Sequence, residues 1–250
     1  MIVRKNFYSS VNSPIDSSLA NVSALPLKVD HQKRLPPVRD QGDRPTCLVF
    51  AATCGHEDKR QQEILIVERL SEEALYWACK QIDADEEGGT TYESASVALE
   101  RWGQPPEESW PYDATLEGDG RSPLPKGMAA GEGWFRRSIA EISTDLEQVK
   151  ALLAAGGLVL LGLELMDSFL RPDAGYIPAP SSDDTSLGGH AVVAVGYDDG
   201  PECLIVRNSW GTEWGIDGYG YLPYSYYVEH SLDSWSLGPV PNADNVERVA

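Results

Sequence analysis

The stretch RDQGDRPTCLVF, Arg39 to Phe50, passes from a charged turn into an apolar run, with Gln41 and Cys47 six positions apart inside it. Thr46 stands where a helix cap would stand. The residues that follow, CLVFAATCGHEDKRQQ from Cys47 to Gln62, contain no helix breaker except Gly55, so the stretch predicts a helix that opens at Cys47. A thiol at a helix N-terminus meets free N–H groups and the positive end of the macrodipole, and both favour its anion. The alternative is a buried structural cysteine, and the presence of a base separates the two.

Four histidines compete for that role. His56 lies nine residues along the same helix, where a rotation of about 900° and a rise of about 13 Å put it on the opposite face. His31 and His230 fall in irregular or terminal segments, where exposure explains them. His190 opens the apolar run HAVVAVGY, followed by the turn signal Asp198-Asp199-Gly200-Pro201 and a second run, CLIVRNSW, from Cys203. Folding this hairpin back on itself sets His190 near residue 209, so the Asn208 amide can lie beside the imidazole and orient it. Cysteine, histidine and asparagine then satisfy the logic of nucleophile, base and orienter. Gln41 gains a purpose too, because its side-chain N–H can join the Cys47 backbone N–H in holding an oxyanion.

The rest of the chain sets the frame. Twenty Lys and Arg against 39 Asp and Glu leave a net charge of -19 over 250 residues, which repels phosphate backbones and anionic bilayers, so neither nucleic acid nor membrane is an expected partner. Acidic runs such as Asp83 to Glu87 read as solvated loops, and no metal site or cofactor is expected. The first 25 residues hold no apolar block of the length a secretory signal requires, and the expected location is cytoplasmic. Ser71 before EEALYWACKQI, a Thr90/Glu93 box before SASVALERW and a Thr144/Glu147 box before VKALLAA predict further helices. After Gly157, LVLLGLEL, HAVVAVGY, CLIVRNSW and GYGYLPY read as short buried strands. The organisation expected is an irregular extension over 1–24, a helical lobe over 25–125, a β-rich lobe over 126–235 and a tail over 236–250, together an α+β fold.

Taken together, QGDRPTCLVFA at Gln41, LSEEAL at Leu70, GGT at Gly88, WPY at Trp110, GGHAVVAVGYDDG at Gly188 and VRNSWGTEWGIDGYGYL at Val206 resemble the papain family of cysteine peptidases. The resemblance implies a two-lobed fold with the site in the cleft, and acyl transfer on a peptide or protein substrate. It implies Cys47 as nucleophile, His190 as base then acid, Asn208 as orienter and Gln41 as oxyanion donor. Trp210 would shield the His-Asn pair and Trp214 would flank the leaving-group side. The backbone of Gly88 and Gly89 would pair with extended substrate, and Thr90, Gly162 and Ala191 would line a pocket for a bulky apolar side chain two residues before the scissile bond. An acyl-transferring ligase or maturation enzyme would use the same residues, and a catalytically silent binding protein is the third reading.

The departures from the family are also informative. Arg44 and Glu86 stand where relatives carry a disulfide pair, so an exposed ion pair between them is expected in its place. The four cysteines, Cys47, Cys54, Cys79 and Cys203, match none of the usual bridges, which suits a reducing compartment. Only 40 residues precede Gln41, so restraint is expected from narrow specificity or from a regulatory protein partner rather than from a long prodomain.

Overall fold

The computed structural model describes residues 25–83, 88–117 and 121–238. Helix α1 (Cys47–Ile64) is buried without interruption from Cys47 to Asp58, so it shows no polar face. A helix apolar or satisfied all round belongs inside a core. Around it lie α2 (Glu72–Lys80) and α3 (Tyr92–Arg101) on one side and a sheet on the other. Among the described residues the sheet contains β1 (Lys28–Asp30), β2 (Ile139–Ile142), β3 (Val159–Met166), β4 (Ser186–Asp198), β5 (Cys203–Arg207), β6 (Tyr219–Pro223) and β7 (Ser231–Leu237). The pairing is antiparallel in the order β2-β7-β3-β4-β5-β6, and β1 joins β4 beyond the end of β3. This is an α+β fold with a helical half and a β-rich half.

The strands read as continuous apolar runs because both sheet faces are covered. Leu160, Ala191, Val193, Val195 and Trp235 pack with α1, α2 and α3. Their neighbours Val159, Leu161, Leu163, Val192 and Ala194 point the other way, onto α4 (Leu146–Ala154) and α5 (Tyr224–His230) through Val149, Leu153, Tyr226 and Tyr227. This is the period-two alternation of a strand. Helix α4 therefore belongs with the β half, because the outer sheet face needs a cover.

Two predicted caps are displaced by one residue. Thr91, not Thr90, caps α3 by accepting from the Ser94 N–H at 3.1 Å, while Thr90 donates to Asp83. Asp145, not Thr144, caps α4 by accepting from the Gln148 N–H at 3.0 Å. In both places two capping residues are adjacent, and spacing alone does not choose between them. The hairpin of β4 and β5 is also shifted, with a bulge between Ala194 and Gly196. There the backbone of β1 comes so near that a Cβ on Gly196 would lie 2.1 Å from the Val29 oxygen, so only glycine fits. The expected strand from Cys203 ends at Arg207, short of Trp210. Strands β1, β2 and β7 and helix α5 were not anticipated, and β7 runs two residues into the segment expected to be a tail.

The carboxylates of the buried helix are matched one by one. Glu57 accepts from Arg39 and from the Leu70 N–H, both at 2.8 Å, and Asp58 accepts from Arg34. His56 Nδ1 lies 2.9 Å from Gln104 Oε1. Burial lowers the His56 pKa to about 4 despite that bond. The unfolded chain then binds the proton more tightly, so this contribution to stability is complete above about 6.5 and is lost as the pH falls towards 4. Urea unfolding at pH 7 and pH 4.5 should show the stability of His56→Gln falling by roughly 2–3 kcal/mol less than that of the parent; equal losses would remove the assignment.

Candidate active site

The chain reaches α1 through a short pairing with the segment after β5. Asp40 bridges Trp210, the Gln41 N–H donates to the Ser209 oxygen at 2.8 Å, and the Gly211 N–H donates to the Arg39 oxygen. Gln41 is fully buried, with its amide fixed at both ends. Nε2 donates to the Arg44 oxygen at 2.7 Å, and Oε1 accepts from Ser209 Oγ at 2.6 Å. An amide nitrogen carries two hydrogens, so one N–H of Gln41 remains without a partner among the described residues.

Thr46 takes the N-cap position of α1 but makes no side-chain cap. The Tyr112 hydroxyl donates to the Gln41 oxygen at 2.8 Å, so the Thr46 hydroxyl, 2.7 Å away, must donate to Tyr112. The first-turn N–H groups are thereby left facing whatever stands before the helix. Cys47 is buried there, and its sulfur accepts from the backbone N–H of Ala191 on β4, the residue after His190. His190 Nε2 lies 2.8 Å from Asn208 Oδ1, which also accepts from the Ser209 N–H. An amide oxygen requires Nε2 to carry the proton, and Nδ1 is buried with no hydrogen-bond partner among the described residues.

Burial acts on both groups. It lowers His190 to about 4, against the raising effect of Asn208, and it raises Cys47, against backbone N–H groups that pull its value down. The expected depression of the thiol by the helix N-terminus is thus outweighed for a lone charge. Moving a proton from sulfur to imidazole creates both charges together, and their attraction opposes the desolvation penalty.

Trp210 stacks on the His190 ring at 4.6 Å and 26°. Trp214 is buried in the outer core, edge-on to Trp210 and stacked on Phe169 at 5.2 Å. Phe169, which also meets His190 edge-on at 5.8 Å, gives no sequence signal beyond its apolar type. Ser209, which locks Gln41, was legible only as part of the asparagine motif. Gly88, Gly89 and Thr90 lead into α3; the Gly89 oxygen accepts from Lys80 at 3.2 Å. Gly162 pairs with Ala191 on one side and with Asp233 on the other. The space beside it, expected to be an apolar pocket, holds the Asp233 carboxylate.

Glu86 lies outside the described residues. Arg44 is not exposed, as expected of it, but wholly buried, and its guanidinium meets Glu73 at 2.5 and 3.0 Å. It also donates to the Asp113 oxygen and faces the Tyr112 ring at 4.5 Å. Cys47, Cys54, Cys79 and Cys203 are all free thiols. Among the described residues no group of three or more His, Cys, Asp or Glu could hold a metal ion.

The sequence profile of the papain family cysteine proteases matches residues 25–232. An uncharacterized peptidase C1-like protein of Acanthamoeba polyphaga mimivirus is 29% identical over 219 residues, covering 80% of this chain and 69% of its own. Procathepsin L of Felis catus is 31% identical over 210 residues, covering 78% of this chain and 60% of its own. Several curated relatives are thus matched over less than two thirds of their length. Xylellain, a cysteine protease from Xylella fastidiosa, superposes with a TM-score of 0.75 at 27% identity, covering 92% of this chain and 91% of that one. The chain belongs to the papain family of cysteine proteases.

The Arg44 pair carries a prediction. Removing one partner of a buried ion pair leaves the other charge uncompensated, so Arg44→Ala should lower the stability measured by denaturant unfolding by about 3–5 kcal/mol, whereas Arg44→Met with Glu73→Leu should recover most of it. A loss below about 1 kcal/mol, as for an exposed pair, would contradict this account.

Proposed function

We propose that this chain is a thiol-dependent peptide-bond hydrolase, an endopeptidase in which Cys47 is the nucleophile, His190 the base and then the acid, Asn208 the orienter and Gln41 an oxyanion donor. The observation that carries the reading is the His190 ring. Its Nε2 is held by Asn208 while Nδ1 is buried and bare, and the N–H of the next residue, Ala191, meets the Cys47 sulfur. The proton on sulfur passes to Nδ1 as sulfur attacks the peptide carbonyl carbon. The oxyanion that forms accepts from the Cys47 N–H and from the second N–H of Gln41. His190 then gives its proton to the leaving nitrogen, the C–N bond breaks and a thioester remains. Water adds to that thioester, losing a proton to His190. Collapse releases the acid, and the proton returns to sulfur. A cytoplasmic setting, which four unpaired thiols suit, is part of this proposal.

The pair works with one shared proton, wherever that proton rests. The profile of kcat/KM should therefore be broad, with its acid limb near the His190 value of about 4 and its alkaline limb above the ordinary thiol range, since Cys47 is raised. A limb near 6.5 would place an unperturbed histidine in the reaction instead. An alkylating reagent at mildly acidic pH should modify Cys47 and spare Cys54 and Cys203, both pushed up to about 11, as well as Cys79, which is raised further. His190→Ala should abolish that selectivity and lower kcat/KM by about 10²–10⁴-fold, with Asn208→Ala losing less. Adding a competing amine to a peptide digest separates the outcomes, because capture of the acyl group in preference to water would mean a ligase.

A further inference from the structure

We propose that Tyr112 is a positioning residue for the oxyanion donors: its hydroxyl sets the spacing between the Gln41 side chain and the Cys47 N–H. The inference rests on the catalytic reading above and deepens it. The WPY stretch that holds Tyr112 takes no part in the proton transfers themselves.

The two donors stand at opposite ends of the loop 41–47, and an oxyanion is held only where both reach one point. The thiols of this chain are free, so no disulfide fixes that loop. Its middle is gathered on the Arg44 oxygen, which accepts from Gln41 Nε2 at 2.7 Å and from the Thr46 N–H at 2.8 Å. Its two ends are gathered on a single atom. The Tyr112 hydroxyl donates to the Gln41 oxygen at 2.8 Å and accepts from the hydroxyl of Thr46, the residue before Cys47, at 2.7 Å. Gln41 and the start of α1 therefore hang from one oxygen.

That oxygen is itself held in place. The Tyr112 ring meets Phe50 of α1 edge-on at 4.8 Å and 88°, and the Arg44 guanidinium lies 4.5 Å from its centroid. The Tyr112 N–H donates to Glu107 at 2.9 Å. Burial, the largest cause, pushes the phenol up to about 12, so its one proton stays on the Gln41 oxygen through the whole neutral and acid range. From the other side Ser209 takes the Gln41 N–H and gives its own hydroxyl to Oε1. Gln41 is thus clamped between a serine beside the orienter and a tyrosine beside the helix end. Misplacement by about 1 Å at such a site costs on the order of a hundredfold in rate.

The test uses an internally quenched peptide built on a sequence that the full chain cleaves in casein, with iodoacetamide as a second probe. Alkylation at a saturated carbon reads the thiol but develops no oxyanion. Tyr112→Phe keeps the ring contacts and removes only the hydroxyl. It should lower kcat by about tenfold to a hundredfold with KM within about threefold, the pattern of an interaction made in the transition state. Its rate of Cys47 alkylation should stay within about twofold of the parent, and both limbs of its pH profile should stay where they are. In a Gln41→Ala background, the same change should cost no more than about threefold further, because the donor it spaces is gone. Thr46→Val, which releases one end of the bracket, should show the same pattern with a fall of about threefold to tenfold, and it carries the test if Tyr112→Phe does not fold. A kcat within about twofold of the parent, alkylation that falls along with kcat, or full additivity with Gln41→Ala overturns the proposal and leaves the catalytic reading standing. Failure of the parent to cleave any peptide, with Cys47 unreactive, overturns both.

Discussion

The burial of α1 on every side from Cys47 to Asp58 is the constraint from which the remaining features follow. A helix surrounded by protein must end somewhere inside it, and the end that opens at Cys47 emerges against β4, next to His190. The position of the thiol is thus a property of the core as a whole, set by α2 and α3 on one flank and by the inner face of the sheet on the other. The same burial makes unmet polar groups on the helix costly, which explains Arg39 with Glu57, Arg34 with Asp58 and His56 Nδ1 with Gln104. Arg39 also pairs with Glu72 at the start of α2, so one guanidinium ties the first turn of α2 to the middle of α1. Such ties add little net stability compared with an apolar core, but each is expensive to break.

Burial of Cys47 and His190, the pair proposed to react, has a chemical consequence. In water a thiol and an imidazole have ionisation ranges not far apart, whereas here burial moves them in opposite directions, away from the charged forms. What remains within the cleft is a single proton that neither group readily loses to solvent or gains from it. The stacked Trp210 and the edge of Phe169 keep water off the ring, which strengthens every electrostatic interaction made after substrate enters. The uncapped first turn of α1 adds donors aimed at the same point. Thr46 would have used one of them, had its hydroxyl not been committed to Tyr112.

The parts of this arrangement that were legible in the sequence are those that depend on local rules. The start of α1, the Ser71 cap and strands β3 to β6 follow from capping residues and apolar runs. The approach of Asn208 to His190 followed from a hairpin whose register proved to be bulged. The contact survives because a side-chain bond tolerates a one-residue error that strand pairing does not. The illegible parts depend on long-range packing. β1 has three residues and pairs with the distant β4, and β7 mixes serine and aspartate with apolar residues, its neighbours rather than its own pattern deciding which are buried. The family resemblance puts the partner of Arg44 at Glu86, yet Glu73 on α2 takes it, since a buried cation pairs with the acid that the packing presents.

Asn208 and Gln41 would perform separate tasks, yet Ser209 binds both. Its N–H donates to Asn208 Oδ1, its hydroxyl to Gln41 Oε1, and its carbonyl accepts from the Gln41 N–H. The residue that turns the imidazole and the residue that would hold the oxyanion therefore hang from one serine, at the point where the segment before α1 pairs with the segment after β5. This geometry couples the two halves of the site through a single residue. A shift that opened the cleft by moving α2 and α3 would leave the serine bridge intact, whereas one that separated Arg39 to Gln41 from Ser209 to Gly211 would misplace donor and orienter at once. The stiffness the chemistry needs is thus concentrated in two short strands of irregular backbone, and the helices and sheet around them hold these strands in register.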